Sequence, residues 1–225
     1  MYGTLVNAAS VILGSLLGIV LRSGFPEKIK RIVFHGVGLV TLFMGFQMSM
    51  KTSNIIILFF SILIGAIIGE TLNIEEYIEK IGNLIKLKLG SGEDKFVEGF
   101  ITAFLIFCIG PMTIVGSIED GLYGNPTILY AKSILDGFTS ISLASMLGLG
   151  VLFSSIPLLL YQGGITALAS YARVFFTEIT INELSAAGGI ILIGLGINIL
   201  EIRKIKVVNL LPSLIISVVL AHLVT

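Results

Sequence analysis

Charge is what this chain has least of. Asp, Glu, Lys and Arg together make up 12% of its 225 residues, about half the roughly 25% usual in soluble domains. Cysteine occurs once, at Cys108, so no intrachain disulfide can form. The two histidines, His35 and His222, stand far apart near the ends of apolar runs. So scattered a set makes no metal site, and no cofactor motif is present. There is no H-E-x-x-H helix and no convincing nucleophile–base pair, which argues against an enzyme. No nucleic-acid partner is expected. The N-terminal stretch Met1-Tyr2-Gly3-Thr4 lacks a basic leader and a cleavage site, so the first apolar run is expected to be retained.

What is present is hydrocarbon-like sequence. Hydrophobic residues account for 55% of the chain and the mean hydropathy is +1.03. Runs near the roughly 20 residues needed to cross a bilayer core recur along the chain. Eight are read, at 3–21, 32–50, 54–70, 97–118, 127–153, 155–172, 184–200 and 207–224. The expectation is an all-α membrane protein of about eight transmembrane helices, with 1–225 a single polytopic domain. The cations then set its orientation. Arg22, Lys28, Lys30, Arg31, Lys80, Lys86, Lys88, Lys95, Arg203, Lys204 and Lys206 all fall on one side of this scheme, against Lys51 and Arg173 on the other. By the positive-inside rule the basic loops are cytoplasmic and both termini are outside. The bilayer is the cell's inner (cytoplasmic) membrane, crossed several times.

Two longer patterns follow. Residues 71–96 form a polar linker in which Asn73 and Glu76 have capping-box spacing. Ile74, Tyr77, Ile78, Ile81, Leu84 and Ile85 then mark one face of an amphipathic helix on the cytoplasmic surface, and Gly90-Ser91-Gly92 supplies a flexible exit. Secondly, Val11–Leu16 resembles Thr113–Ile118, while Gly38 and Gly45-Phe46-Gln47 align without gaps to Gly189 and Gly196-Ile197-Asn198. These matches join spans of opposite direction, the pattern of an inverted repeat. Glycine-rich spans one, two and seven also offer small faces for close packing, from which a homodimer is expected.

The chemistry concentrates in spans four to six. Gly110-Pro111 interrupts span four. Proline removes a donor and clashes with the preceding turn, yet it suits the first position of a new helix. The span is therefore expected to be discontinuous, its second half presenting an N-terminus to the membrane interior. Thr113 and Ser117 lie four apart on one face beside that break. Lys132 and Asp136, one turn apart in span five, can pair, and antiparallel packing places Asp136 level with Pro111. Ionisable residues at such depth are unfavourable by about 2.5–3.5 kcal/mol each and mark ion or solute pathways. As an alternative, the two simply neutralise one another. Gln162, beside Gly163-Gly164 in span six, marks a second candidate break and needs partners at depth. Gln47 and Asn198 are further polar positions, matched by the repeat. Glu119 and Asp120 read as solvated loop charges.

The run Phe107-Cys108-Ile109-Gly110-Pro111-Met112-Thr113-Ile114-Val115-Gly116-Ser117-Ile118-Glu119-Asp120-Gly121-Leu122 is similar to the signature of the bacterial membrane proteins grouped as domain of unknown function 554. So are Lys132-Ser133, Asp136-Gly137-Phe138 and Tyr161-Gln162-Gly163. The resemblance implies an integral inner-membrane protein and names no substrate. On the residues themselves, a secondary transporter of a small polar or anionic solute, coupled to H+ or Na+, is the leading reading. An ion channel or a non-transporting regulatory or structural membrane protein is the alternative. Single cysteines at positions 92 and 124 in a Cys108→Ser background test the topology. They are expected to react with an impermeant reagent from opposite sides, and labelling from one side would sink the eight-span scheme.

Overall fold

The computed structural model describes residues 1–22, 26–88, 94–169 and 177–224. Among them the secondary structure is helical throughout: α1 Tyr2–Arg22, α2 Glu27–Ser49, α3 Ile55–Leu72, α4 Ile74–Lys88, α5 Phe96–Cys108, α6 Pro111–Tyr123, α7 Thr127–Leu147, α8 Leu149–Phe153, α9 Ser155–Ala167, α10 Glu178–Ile199 and α11 Pro212–Val224, with a 3-10 turn at Val207–Leu210. Among the described residues five helical stretches are long and apolar enough to cross a membrane, and a sixth is formed by α5 and α6 if that bent pair is one span. The other two spans read from the sequence are α7, which spends apolar positions on buried polar residues, and the shorter apolar segment Val207–Leu223. Large apolar side chains such as Leu5, Leu13, Val20, Phe59, Phe60 and Ile67 are exposed, which suits a lipid solvent.

The residues cluster into two compact units, Met1–Val37 with Ile81–Ala172, and Gly38–Lys80 with Arg173–Thr225. In the first unit α1 and α7 lie side by side and run the same way. Gly3, Gly14 and Gly18 meet Leu129, Ser140 and Ala144 at one constant offset in number. A Cβ on Gly14 would stand 2.3 Å from the Gly137 carbonyl oxygen, so only glycine permits this approach. α6 runs back against α7, with Gly116 against Ile128 and Leu129. α9 packs on α1 and α6, and α5 packs on α8 where Gly150 faces the Phe96 carbonyl.

In the second unit α10 is the central helix: 72% of its span is buried, against 28% for α3. α2 crosses α10 antiparallel through Gly45 on Gly189 and Leu42 on Gly196. α3 lies antiparallel to the 207–224 segment, with Gly65 on Ser213 and Gly69 on Asn209. Glu183 of α10 is fully buried. It accepts from Thr52 Oγ1 at 2.8 Å, Ser53 N at 2.6 Å and Asn54 N at 3.0 Å. Asn54 in turn caps α3 by accepting from Ile56 N at 3.0 Å. Of the glycines in spans one, two and seven, Gly14, Gly18, Gly45, Gly189 and Gly196 meet atoms of this same chain, while Gly36 meets nothing within 4 Å.

Several expectations are corrected in detail. Span five does not run to 153. Gly148 (φ 74, ψ −145) ends α7 at Leu147, and α8 joins α9 in the span Leu149–Ala167. Gln162-Gly163-Gly164 is no break, because α9 passes through it as regular helix. Asn73 does not open α4 by a capping box. It adopts a left-handed conformation (φ 50, ψ 46) and closes α3, its N–H donating to Glu70 O. The first turn of α4 is capped instead from a distance, by Glu75 N donating to Asn209 Oδ1 at 2.7 Å, while Glu76 pairs with Lys80 at 2.7 Å. The amphipathic face itself leaves Tyr77, Ile81 and Leu84 exposed. The Gly90-Ser91-Gly92 exit and Arg173 lie outside the described residues.

Gly69→Ala tests the closest helix contact of the second unit. The new Cβ would lie 1.8 Å from the Asn209 carbonyl oxygen, and overpacking of this kind costs about 1–3 kcal/mol. A lower unfolding midpoint in detergent is expected. Gly36→Ala, which meets nothing within 4 Å, should leave the midpoint unchanged or slightly raised.

Candidate functional site

The break in span four is real and has a local cause. α5 ends at Cys108 and α6 starts at Pro111, the pair bent by 60°. Gly110 between them is extended (φ −68, ψ 146) and occupies the cap position. A residue before proline is pushed out of the helical region, and the proline N has no proton to continue the ladder. Thr113 answers part of the loss. It is fully buried, and its hydroxyl donates at 2.9 Å to the Phe107 carbonyl across the bend. Thr113 therefore splints the break, and its one proton is committed to it.

Around this break the first unit collects a buried polar network from α1, α7 and α9. Lys132 Nζ donates to Asp136 Oδ2 within α7, with side-chain exposures of 5% and 10%. Asn7 of α1 donates through Nδ2 to Asp136 Oδ2 at 3.0 Å and to Gln162 Oε1 at 2.9 Å. Gln162 Nε2 donates to Thr4 Oγ1 at 3.2 Å, Thr4 and Thr166 share a hydroxyl contact at 3.2 Å, and Thr166 Oγ1 donates to the Gln162 carbonyl at 2.9 Å. A hydroxyl has a single proton. Since Thr166 spends its own on Gln162, Thr4 is the donor of the Thr4–Thr166 bond. Every direction in the network is then defined. Both Asn7 amide protons are used by acceptors, which fixes the orientation of its carboxamide. Its Oδ1 is left buried with no hydrogen-bond partner among the described residues, and Ser15 Oγ and Ser117 Oγ are in the same position.

The predicted site residues sort accordingly. Gly110, Pro111, Thr113, Ser117, Lys132, Asp136 and Gln162 all belong to the first unit; of these, Lys132, Asp136 and Gln162 join one network. Gln47 and Asn198 belong to the second unit. Gln47 is exposed on α2, and Asn198 closes the turn after α10 by bonding both Ile205 N and Ile205 O. Asp120 is no solvated loop charge. It is 5% exposed, accepts from Gly3 N at 3.1 Å and lies 2.9 Å from the Met1 amino group.

Sequence reasoning missed Thr4, Asn7 and Thr166. Asn7 carried a signal, an amide in an otherwise apolar span with Thr4 one turn before it. Nothing local tied it to Asp136, 129 positions away.

Bundled apolar helices, one of them broken beside a buried ion pair, define an all-α membrane protein. The chain belongs to the family described as "Protein of unknown function (DUF554)", whose model matches residues 2–222. It is 33% identical over 228 residues to the "Uncharacterized membrane protein YdfK" of Bacillus subtilis (strain 168), covering 100% of this chain and 97% of that relative. It is 32% identical over 224 residues to the "Uncharacterized protein YqgA" of Escherichia coli (strain K12), covering 97% and 95%. No solved structure matches the chain at a significant level.

Substitution at Asp136 separates the two roles of the pair. Asp136→Asn leaves the Lys132 ammonium buried without its carboxylate. Breaking a buried pair from one side costs about 3–5 kcal/mol, so a large fall in unfolding midpoint is expected. Adding Lys132→Met to Asp136→Asn should recover most of that stability. A midpoint that the double substitution fails to raise would mean that Asp136 serves the fold through Asn7 rather than through Lys132.

Proposed function

We propose that this protein is a secondary transporter of a small polar or anionic solute across the cytoplasmic membrane, coupled to an ion, and not an enzyme. The observation that carries the reading is the ion pair Lys132–Asp136, bonded by Asn7 of α1, which is itself bonded to Gln162 of α9, beside a 60° helix break. Charged groups at this depth persist where they serve a solute or ion path, and broken helices supply the polar backbone that such paths use.

An inverted repeat fits the same reading. In the second unit the α2 positions 38, 42, 45 and 49 meet α10 at 200, 196, 193 and 189. The ungapped match aligns those two sets of positions with each other in reverse contact order, with glycine at 38 and 45 and again at 189 and 196. In the first unit α1 and α6, which carry the other match, pack in opposite directions against α7. Antiparallel equivalents are what a two-fold axis in the membrane plane requires.

Purified protein in proteoliposomes is the test. Solute uptake is expected to rise when an inward H+ or Na+ gradient is imposed, and to vanish with Lys132→Met/Asp136→Asn in protein that is still folded. Uptake indifferent to any gradient and saturating only at channel-like rates would favour the channel reading.

A further inference from the structure

The unmatched atom in the network is an acceptor, and that decides what can complete it. Asn7 is fully buried, both of its N–H groups are committed, and Oδ1 has no hydrogen-bond partner among the described residues. A buried unsatisfied carbonyl costs about 1–3 kcal/mol. The group beside it, Asp136, is also an acceptor, with Oδ2 holding Lys132 and Asn7. Gln162 Oε1, like Asp136 Oδ2, is a further oxygen beside Asn7, and each accepts one of the two Nδ2 protons. An anion placed here would meet oxygens. A cation, or a small ligand made only of donors, would be met by them. The Lys132 ammonium already stands at one edge of this set as a tethered monovalent cation.

We infer that Asp136, Asn7 and Lys132 form an exchange site in which a small monovalent cation (an alkali ion or ammonium) binds to Asp136 and Asn7 Oδ1 in place of the Lys132 proton. This rests on the transporter reading and names its coupling ion. The charge count gives the step. Two positive charges on one buried carboxylate are strongly unfavourable where the dielectric is low. As the cation arrives, the Lys132 ammonium releases one proton to water and becomes the neutral amine; as the cation leaves, Lys132 takes a proton back. One charge enters, one leaves, and the site keeps its neutrality. The Asn7 carbonyl gains the partner it lacks only in the cation-bound state.

Few other titratable groups face the pair. Cys108 of α5 lies within electrostatic reach of both Lys132 and Asp136, and Tyr161 of α9 lies near Cys108. α1 brings the neutral Asn7 and Thr4 into the network and carries Tyr2 and Arg22 at its two ends, and α8 has no titratable residue. α6 offers Glu119, bonded to Asn125 at 3.0 Å, and Asp120, held by Gly3 N and the Met1 amino group.

Detergent-solubilised protein, titrated calorimetrically with NaCl, KCl and NH4Cl against choline chloride at constant ionic strength, tests this without any flux. At least one small cation is expected to bind, choline is not, and a pH dye in weak buffer should report one proton released per cation bound. Apparent affinity should fall about tenfold per pH unit of acidification. Lys132→Arg preserves a cation against Asp136 but cannot give up its proton, so it should stay folded and lose both binding and proton release. Asn7→Ala should weaken binding at least tenfold. The inference is overturned if no small cation binds the wild type, if choline chloride acts as well as NaCl, or if Lys132→Arg binds cation as the wild type does. Should Asn7→Ala not fold, Lys132→Arg decides alone. Cation binding without transport in liposomes would refute the transporter reading and leave this site standing; ion-coupled transport without cation binding would do the reverse.

Discussion

A carboxylate inside an apolar helix bundle has to be met by donors, and the arrangement of the first unit follows from meeting Asp136. Lys132 meets it from one turn away on the same helix. That alone would need only α7. Asn7 meets it as well, which brings α1 within hydrogen-bond reach of α7. Only the glycines of α1 allow that approach, since a Cβ at Gly14 or Gly18 would stand 2.3 or 2.4 Å from a carbonyl oxygen of α7. Gln162 then satisfies the second Asn7 proton and draws in α9. One charge thus accounts for the contacts of three helices.

The same requirement acts on the backbone. Where the helix breaks at Gly110-Pro111, Thr113 returns a proton to the Phe107 carbonyl. Where α3 begins, Glu183 gathers two backbone N–H groups and a hydroxyl from the preceding turn. Where α4 begins, Asn209 reaches in from the far end of the chain, while its Nδ2 donates to Glu70 at 2.7 Å. In hydrocarbon or at its edge water is not at hand to satisfy helix ends, so side chains from elsewhere in the fold take that part. Asn7 Oδ1, Ser15 Oγ and Ser117 Oγ stand out against this thrift, being buried polar atoms with no hydrogen-bond partner among the described residues.

By itself the sequence determined the class of protein, the helical content, the interruption at Gly110-Pro111 and the pairing of Lys132 with Asp136. Each of these depends on residues within a turn or a span of one another: apolar run length, a proline's missing proton, a four-residue spacing. The tertiary structure alone decided the rest. Gly148 and Gly163-Gly164 look equally able to end a helix, yet only Gly148 takes a positive φ, because α9 at Gln162 is held straight by bonds to α1. Asn73 and Glu76 have the spacing of a cap, but Asn73 is used to close α3 and Asn209 supplies the missing acceptor. Asp120 looks like a loop charge until the start of α1 packs beside it. Asn7 is one amide in an apolar run until α7 and α9 give it both an acid and an amide to bond. Partners more than a hundred residues apart leave no local periodicity, and hydrogen-bond satisfaction at depth is a property of the assembled helices rather than of any one of them.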